Sequence, residues 1–381
     1  MGSPERRHAV LILSGGPAGL ATSRCLIRGG SSVVVVERGS YGEIRIGEHL
    51  PPQGIRLLQD SGFSGLGDDA HVHCPGVNAW WGSTAPNYTD YLFHPVGRGV
   101  NLSRPDFDST LADQCREAGV HLLTGARLIS ATPTRAGWHA AVQCQDRVRE
   151  YRPRVIVDAT GRSAAFARMQ GSSVEASDSQ IALIAFRSSN PPLDRTSARV
   201  VIESAEHGWW YFAPLRGGRC VCMFMTDADL LEAKPRAVLA TWEERLRRTD
   251  HMRSCIEAYP VLTRLVVRAA RSQRLDRIGG PGWIAVGDAA IAFDPLSSHG
   301  IAKGLEHGRQ AAGTVLACLN GDVTALQRLA DRFAAEFADY EQTRRGYYSI
   351  ERRWPKAPFW RRRQTGRTTH APHTARRAEC E

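Results

Sequence analysis

An apolar run from His8 to Leu13 enters the turn SGGPAG at Ser14 to Gly19. It is followed by a helical stretch, Leu20 to Arg28, and by Ser32 to Val36, which ends on an acid, Glu37. Strand, tight turn, helix and strand in that order make a βαβ unit, and a chain that begins so is committed to a parallel sheet with helices on its faces. Gly15, Gly16 and Gly19 permit the tight turn, close approach of the backbone to a pyrophosphate and close packing of helix on strand; the helix N-terminus offers unpaired N–H donors. Glu37 stands where a carboxylate can accept from a ribose hydroxyl. Ser14 takes the place of the usual first glycine, which a serine can fill at some strain if its φ stays negative. Taken alone, this turn leaves open NAD, NADP, FAD and a plain α/β turn without a nucleotide.

Four further segments narrow the choice: ERGSYGEIRIGEHLPP (Glu37 to Pro52), NLSRPDFDSTL (Asn101 to Leu111), VDATGRSA (Val157 to Ala164) and GDAAIAFDPLSSHGI (Gly287 to Ile301). With the first turn they span residues 8 to 320 in order. They resemble the FAD-dependent monooxygenases grouped with flavin-dependent halogenases and geranylgeranyl reductases. The GEHLPP and DPLSSHGI segments are most similar to the maturation flavoproteins of tryptophylquinone amine oxidases, which oxygenate a tryptophan side chain in a partner protein. The resemblance implies FAD. It places Glu37 and Arg38 at the end of the second strand, Arg104 against the cofactor, and Arg127 and Leu128 past the adenine. Asp158 and Gly161 end a further strand beside the cofactor, and Gly287 and Asp288 meet a ribityl or ribose hydroxyl, although Asp288 could equally cap a helix. Pro295, Ser297, Ser298, His299, Gly300 and Ile301 lie beside the isoalloxazine, where N–H groups of the following helix can stabilise the negative edge of a reduced flavin.

The expected fold is α/β: a Rossmann-like, three-layer FAD-binding domain interleaved with an antiparallel substrate sheet and C-terminal helices. Residues 1–75, 96–165 and 272–320 would build the first, and 76–95 with 166–271 the second. Ile181 to Arg187, Arg199 to Glu203, Gly208 to Pro214 and Arg219 to Thr226 read as its strands. Residues 305 to 350 read as helical, those from 321 to 350 forming the C-terminal helices, with Leu316, Leu319, Leu326, Leu329, Phe333 and Phe337 as core. The net charge of +10 is concentrated at the end, where eleven Lys/Arg face three Glu from Arg344 onward. Residues 351–381 therefore read as a basic, disordered tail, with docking to an acidic partner protein as the sharper alternative and nucleic acid disfavoured. No run of 18 apolar residues spans a membrane and no signal peptide is recognised. Nine scattered cysteines suggest free thiols in a reducing cytoplasm and no metal site.

The chemistry is read partly by exclusion. Halogenases of this kind use a lysine after the GEHLPP-like segment, and Gly47 to Val100 contains none; the three lysines are Lys234, Lys303 and Lys356. Arginine cannot replace the amine as nucleophile. Tryptophan halogenases also place a Glu where Ser297 stands. GWWYFAP matches their WxWxIP segment only at Trp209 and Pro214, with Tyr211 and Ala213 departing. The expected reaction is hydroxylation of an electron-rich aromatic group, free or carried on a peptide, by a flavin C4a-hydroperoxide formed from O₂. His49 and His299 are candidates for proton transfer, each equally able to be an ordinary hydrogen-bonding histidine. Trp80, Trp81, Trp209 and Tyr211 are candidates to meet the substrate or to pack as core. Electrons would come from NAD(P)H directly or through a separate flavin reductase. A reductase of the geranylgeranyl kind and a flavin-binding interaction protein without turnover are the remaining alternatives.

Overall fold

A computed structural model describes residues 8–66, 70–191, 198–231 and 235–364. Val10–Leu13, Val33–Val36 and Val155–Asp158 are short β-branched and aliphatic runs buried at every position. That is the pattern of parallel strands covered on both faces. They form a six-stranded sheet in the order Gly279–Gly280, Trp283–Ala285, Val155–Asp158, Val10–Leu13, Val33–Val36 and His121–Leu123. All of its pairs are parallel except the one at the Gly279 edge. The chain order reverses beside Val10–Leu13, which sets a crevice at the C-terminal ends of the central strands.

The helix Pro17–Arg28 starts on a proline, whose fixed φ suits a first turn, and buries Leu20, Ala21 and Leu26. It packs against the long helix Gly300–Leu319 at close range. A Cβ on Gly308 would lie 2.6 Å from the Ala18 carbonyl oxygen and 2.7 Å from the Ala21 Cβ, so only glycine admits that approach. The two helices carrying the glycine-rich turn and the SSHG turn are thereby locked side by side.

The second sheet has seven strands, in the order Val261–Ala269, Gln180–Ser188, Arg219–Asp227, Gly208–Leu215, Val200–Ala205, Gly76–Trp80 and Asn87–Asp90. The four strands read from sequence are present. The sheet is mixed rather than wholly antiparallel, because Gly76–Trp80 pairs in parallel with Val200–Ala205. Both faces are covered, and the alternation sorts the side chains. Trp209, Tyr211, Ala213, Val221, Met223 and Met225 face one apolar cluster, whereas Trp210, Phe212, Cys220, Cys222 and Phe224 face the other with Trp242. Among the described residues no cluster of His, Cys, Asp and Glu could hold a metal, and no helix is long and apolar enough to cross a membrane.

Two helices, Gly300–Leu319 and Ala325–Ile350, are separated by a turn after Asn320. The chain beyond them departs from expectation. Residues 351–364 are not a disordered tail. Pro358–Gln364 is a helix whose Phe359, Trp360 and Arg363 are buried. Phe359 and Trp360 join the cluster of Trp81, Trp209 and Tyr348, and Trp360 Nε1 donates to the Ala205 carbonyl at 2.9 Å. Two arginines of the run do not face outward either. Arg363 pairs with the buried Asp227 at 2.7 Å, and Arg362 with Asp227 and Asp229 at 2.9 and 2.6 Å. Helical periodicity turns one face of that run inward, where the acidic residues ending the strand Arg219–Asp227 receive it. Arg376, Arg377 and the rest of 365–381 lie outside the described residues.

Candidate functional site

The crevice at the strand ends opens into a cavity of about 460 Å³. Its floor comes from the ends of three parallel strands: Ser14 after Val10–Leu13, Ala159 to Arg162 after Val155–Asp158, and Val286 with Asp288 after Trp283–Ala285. The seven-stranded sheet closes the far side with Ala182, Ile184, Tyr211, Met223 and Met225. One continuous space therefore runs from the glycine-rich turn to an apolar wall.

The first turn is held by its own acid. Glu37 accepts from the Gly15 and Gly39 N–H groups at 2.7 and 2.8 Å and from Ser14 Oγ at 3.2 Å, and it pairs with Arg45 at 2.9 Å. Its carboxylate thus serves as the clamp of the turn. Ser14 sits at φ 81, not at the negative φ expected of a serine, and the Glu37 contacts together with the Ser14 N–H bond to Val36 offset that strain. The reason lies in the helix behind it: a Cβ on Gly19 would fall 2.0 Å from the Ser14 carbonyl oxygen, so the turn must curl tightly over the helix start.

The cavity brings together Gly16, His49, Arg104, Gly161, Asp288, Pro295, Ser297, Ser298, His299, Gly300, Ile301 and Tyr211. Others stand behind it. Asp158 caps the turn that follows its strand, accepting from Thr160 N at 2.9 Å and from Ala167 N at 2.8 Å. Gly15, Gly19, Glu37 and Gly287 support the turns from outside the cavity wall, Arg38 is exposed, and Arg127 and Leu128 lie on the strand Ala126–Thr134 away from it. Of the aromatic candidates only Tyr211 reaches the cavity. Trp81 is packed edge-on against Trp209, Tyr348 and Trp360, Trp209 donates to the Tyr348 hydroxyl at 3.0 Å, and Trp80 ends a strand and stacks on His251. Trp81 and Trp209 are buried in the core, and Trp80, half-buried, packs against the other cluster of the sheet.

The residues present fit FAD. The helices Pro17–Arg28 and Gly300–Leu319 both direct N-termini without side-chain caps at the cavity, beginning at Gly16 and His299. Their unpaired N–H groups and positive dipole ends suit a diphosphate and the negative edge of a reduced flavin. A Cβ on Gly16 or Gly300 would meet nothing within 4 Å, leaving the approach open. Arg104 lies against the same space, its Nε without a hydrogen-bond partner among the described residues, while its fork binds Asp108 at 2.9 Å and the carbonyls of Ile46 and Gly47. Gly16→Asp is expected to weaken FAD binding by about a hundredfold, since a second anion beside the diphosphate costs several kcal/mol. The same change places a favourable N-cap residue at φ −76, so thermal unfolding of the flavin-free protein should stay near wild type. Flavin content after purification checks it, and unchanged content would refute this location.

Three charged groups were not legible as site residues. Lys303 is buried, pairs with Asp288 at 2.8 Å and donates to the Ile291 carbonyl; burial alone would raise the Asp288 carboxyl, but Lys303 and Arg162 outweigh it and hold it below the usual range. Arg162 ties Gly161 to the flavin turn through the Phe293 carbonyl at 2.6 Å. Glu48 is 2% exposed, and burial pushes its carboxyl up to about 7 against the opposing pull of Arg104. Its partner in sequence, His49, is pushed down to about 4 by burial, which the bond to Asn101 only partly opposes. Burial likewise raises the Tyr211 hydroxyl well above its ordinary range, with the Glu48 charge adding to it.

The comparisons with known proteins agree with this geometry. Residues 7–342 match the FAD binding domain family. A protein of Marinomonas mediterranea named as an FAD-dependent oxidoreductase, LodB, is 27% identical over 361 residues, 93% of this chain and 96% of its own length. The 1H-pyrrole-2-carbonyl-[peptidyl-carrier protein] brominase of Pseudoalteromonas luteoviolacea is 24% identical, covering 84% of this chain and 80% of its own. In fold, the chain is similar to the peptidyl tryptophan dihydroxylase QhpG at a TM-score of 0.80 and 24% identity, covering 97% of this chain and 81% of that one. It is similar also to the myxobacterial chondrochloren halogenase CndH at a TM-score of 0.84 and 19% identity, covering 94% and 86%. An α/β fold of the halogenase type, a cavity built for a dinucleotide and a family match over most of the length converge: this chain belongs to the FAD binding domain family and is an FAD-dependent oxidoreductase.

Proposed function

We propose that the protein is an FAD-dependent monooxygenase that hydroxylates an electron-rich aromatic group, with an indole carried on a peptide or protein as the substrate. The observation that carries this reading is the cavity wall. No lysine among the described residues lines it, and Lys303 is already committed to Asp288 and the Ile291 carbonyl. From the seven-stranded sheet, Ala182, Ile184, Met223 and Met225 line the cavity beside Arg268, the first four being apolar or polarizable groups that suit a flat aromatic ring. The name of QhpG, a peptidyl tryptophan dihydroxylase, supports the same direction.

Bound FAD would supply electrons received from NAD(P)H, directly or through a separate reductase, and would activate O₂. The chain's own part is binding, orientation and dryness. Helix N-termini at Gly16 and Gly300 would hold the cofactor; Arg104 fixes the carbonyls of Ile46 and Gly47, and so the segment that runs past it to Glu48 and His49. Asp294 shapes the turn before Gly300: it accepts from Leu296 N at 2.9 Å and from the Tyr348 hydroxyl at 2.8 Å. The test is to supply isotopically labelled O₂, NAD(P)H with a flavin reductase, and free tryptophan or tryptophan-containing peptides. Labelled oxygen on the ring is the expected result. Incorporation of added bromide or chloride would replace the reading by halogenation, and substrate reduction without oxygen uptake would replace it by the reductase.

A further inference from the structure

We propose that Glu48, and neither neighbouring histidine, is the general base of the cavity, taking the proton that the substrate ring releases on hydroxylation. This rests on the monooxygenase reading. In that reaction a ring carbon gains a bond to one oxygen atom of O₂, the other leaving as water with the two electrons from NAD(P)H. The carbon's C–H bond then breaks, its electron pair restores the aromatic ring, and the proton must find an acceptor inside a space that excludes water.

Glu48 meets the geometric requirements of such an acceptor. It lines the cavity, and its backbone is pinned on both sides: its carbonyl accepts from Leu102 N at 2.6 Å, and the carbonyls just before it are bound by Arg104. The side chain is left with unused capacity. Oε2 accepts from the Gly47 N–H at 3.1 Å, the Glu48 N–H also bears on the carboxyl, and Oε1 has no hydrogen-bond partner among the described residues. A buried carboxyl oxygen without a partner is costly, and such groups in clefts mark functional sites. Tyr211 on the opposing sheet and the guanidinium of Arg104 are the polar groups that share its surroundings. Arg104 opposes the effect of burial, leaving the carboxyl near 7, where it can both take and return a proton.

The histidines are placed differently. His49 has both ring nitrogens occupied, Nδ1 with Asn101 Oδ1 and Nε2 with the Tyr91 hydroxyl, each at 3.2 Å. Its backbone is paired with Asn101 as well, and burial keeps the ring neutral, so it is a strut. His299 is exposed, with Nδ1 held by the Ser297 carbonyl. It lines the cavity with its ring turned back on the SSHG turn.

The test compares Glu48→Gln and His49→Gln in the flavin-loaded protein. First, without substrate, the infrared carbonyl stretch of a protonated carboxyl should vanish as pH rises through about 7 in wild type and in His49→Gln, and be missing from Glu48→Gln at equal flavin content. Second, with tryptophan peptides deuterated on the indole ring, Glu48→Gln should form product about 10²- to 10⁴-fold more slowly and show a primary isotope effect that wild type lacks. The pH inflection of the wild-type rate should survive in His49→Gln whatever its absolute rate. A merely structural Glu48 would slow the reaction without unmasking the isotope effect. That result, or an infrared band that persists in Glu48→Gln, would overturn the proposal. If wild type puts no oxygen on any tryptophan substrate while the band titrates as stated, the monooxygenase reading fails instead, and the base loses its reaction.

Discussion

Arg363→Met is expected to lower the stability of the protein by about 3 kcal/mol, the cost of removing one partner from a buried ion pair. Arg363 is 9% exposed and Asp227 1% exposed. The guanidinium makes a fork, Nη1 to Asp227 Oδ2 at 3.1 Å and Nη2 to Oδ1 at 2.7 Å, and adds bonds to the Phe359 carbonyl at 2.9 Å and to Gln180 Oε1 at 3.0 Å. It also lies 3.6 Å over the Phe359 ring. Methionine keeps the apolar stem but leaves Asp227 with only the half-buried Arg362, and Gln180 Oε1 with only the Tyr348 hydroxyl at 3.2 Å. Lys356→Met removes the same charge from an exposed position just before the same helix and should change stability by less than about 0.5 kcal/mol. The urea midpoints of the two variants decide the matter. Equal midpoints would mean that this helix does not anchor the chain end.

That helix also shows where the sequence stops being legible. The run RRR between Trp360 and Gln364 carries the composition of a solvated segment, and charge counting treats it as one. The information that reverses the reading is long-range: Asp227 lies 136 residues earlier in the chain and Gln180 lies 183 earlier. Local periodicity did hold the clue that Phe359 and Arg363, four apart, share a helical face. The cofactor side was more legible because its signals are local. Buried parallel strands read as unbroken β-branched runs, and the turns joining them demand glycine for reasons of close approach that a short segment states by itself. Even there the details escaped. Glu37 was readable as the acid at a strand end, yet its closing of the Ser14 turn depends on Ser14 adopting φ 81, which no serine advertises. Trp81 and Trp209 were visible as aromatic residues near the substrate sheet, whereas the face each one takes is set by partners on the helix Ala325–Ile350 and the helix after it. Glu48 stood in plain view beside His49. What distinguishes the two is burial and unspent hydrogen-bonding capacity, and neither has a sequence signature.

Glu48→Gln should make the folded protein more stable above neutral pH, and the gain should shrink to little below pH 4.5. The carboxyl is held near 7 in the folded protein by burial, against an ordinary value of 4.5 in the unfolded chain. Between those two values the folded state keeps a proton that the unfolded state has given up, so the stability of wild type falls as pH rises through that window and levels off once the buried carboxyl ionises. The span from 4.5 to about 7 corresponds to on the order of 3 kcal/mol, all of it lost by about pH 8. Glutamine has no such titration, so the difference between the two proteins should be near its minimum at pH 4.5 and grow to that size on the alkaline side. Denaturation at matched FAD concentration across this range reads it directly. Arg104 sets the limit of the effect: its charge already lowers the carboxyl, so removing it by Arg104→Met should move the wild-type window further alkaline. A stability difference between wild type and Glu48→Gln that stays constant with pH would mean that Glu48 is ionised throughout, and a permanently charged carboxylate there would bind the substrate or cofactor edge as an acceptor without ever exchanging a proton at neutral pH.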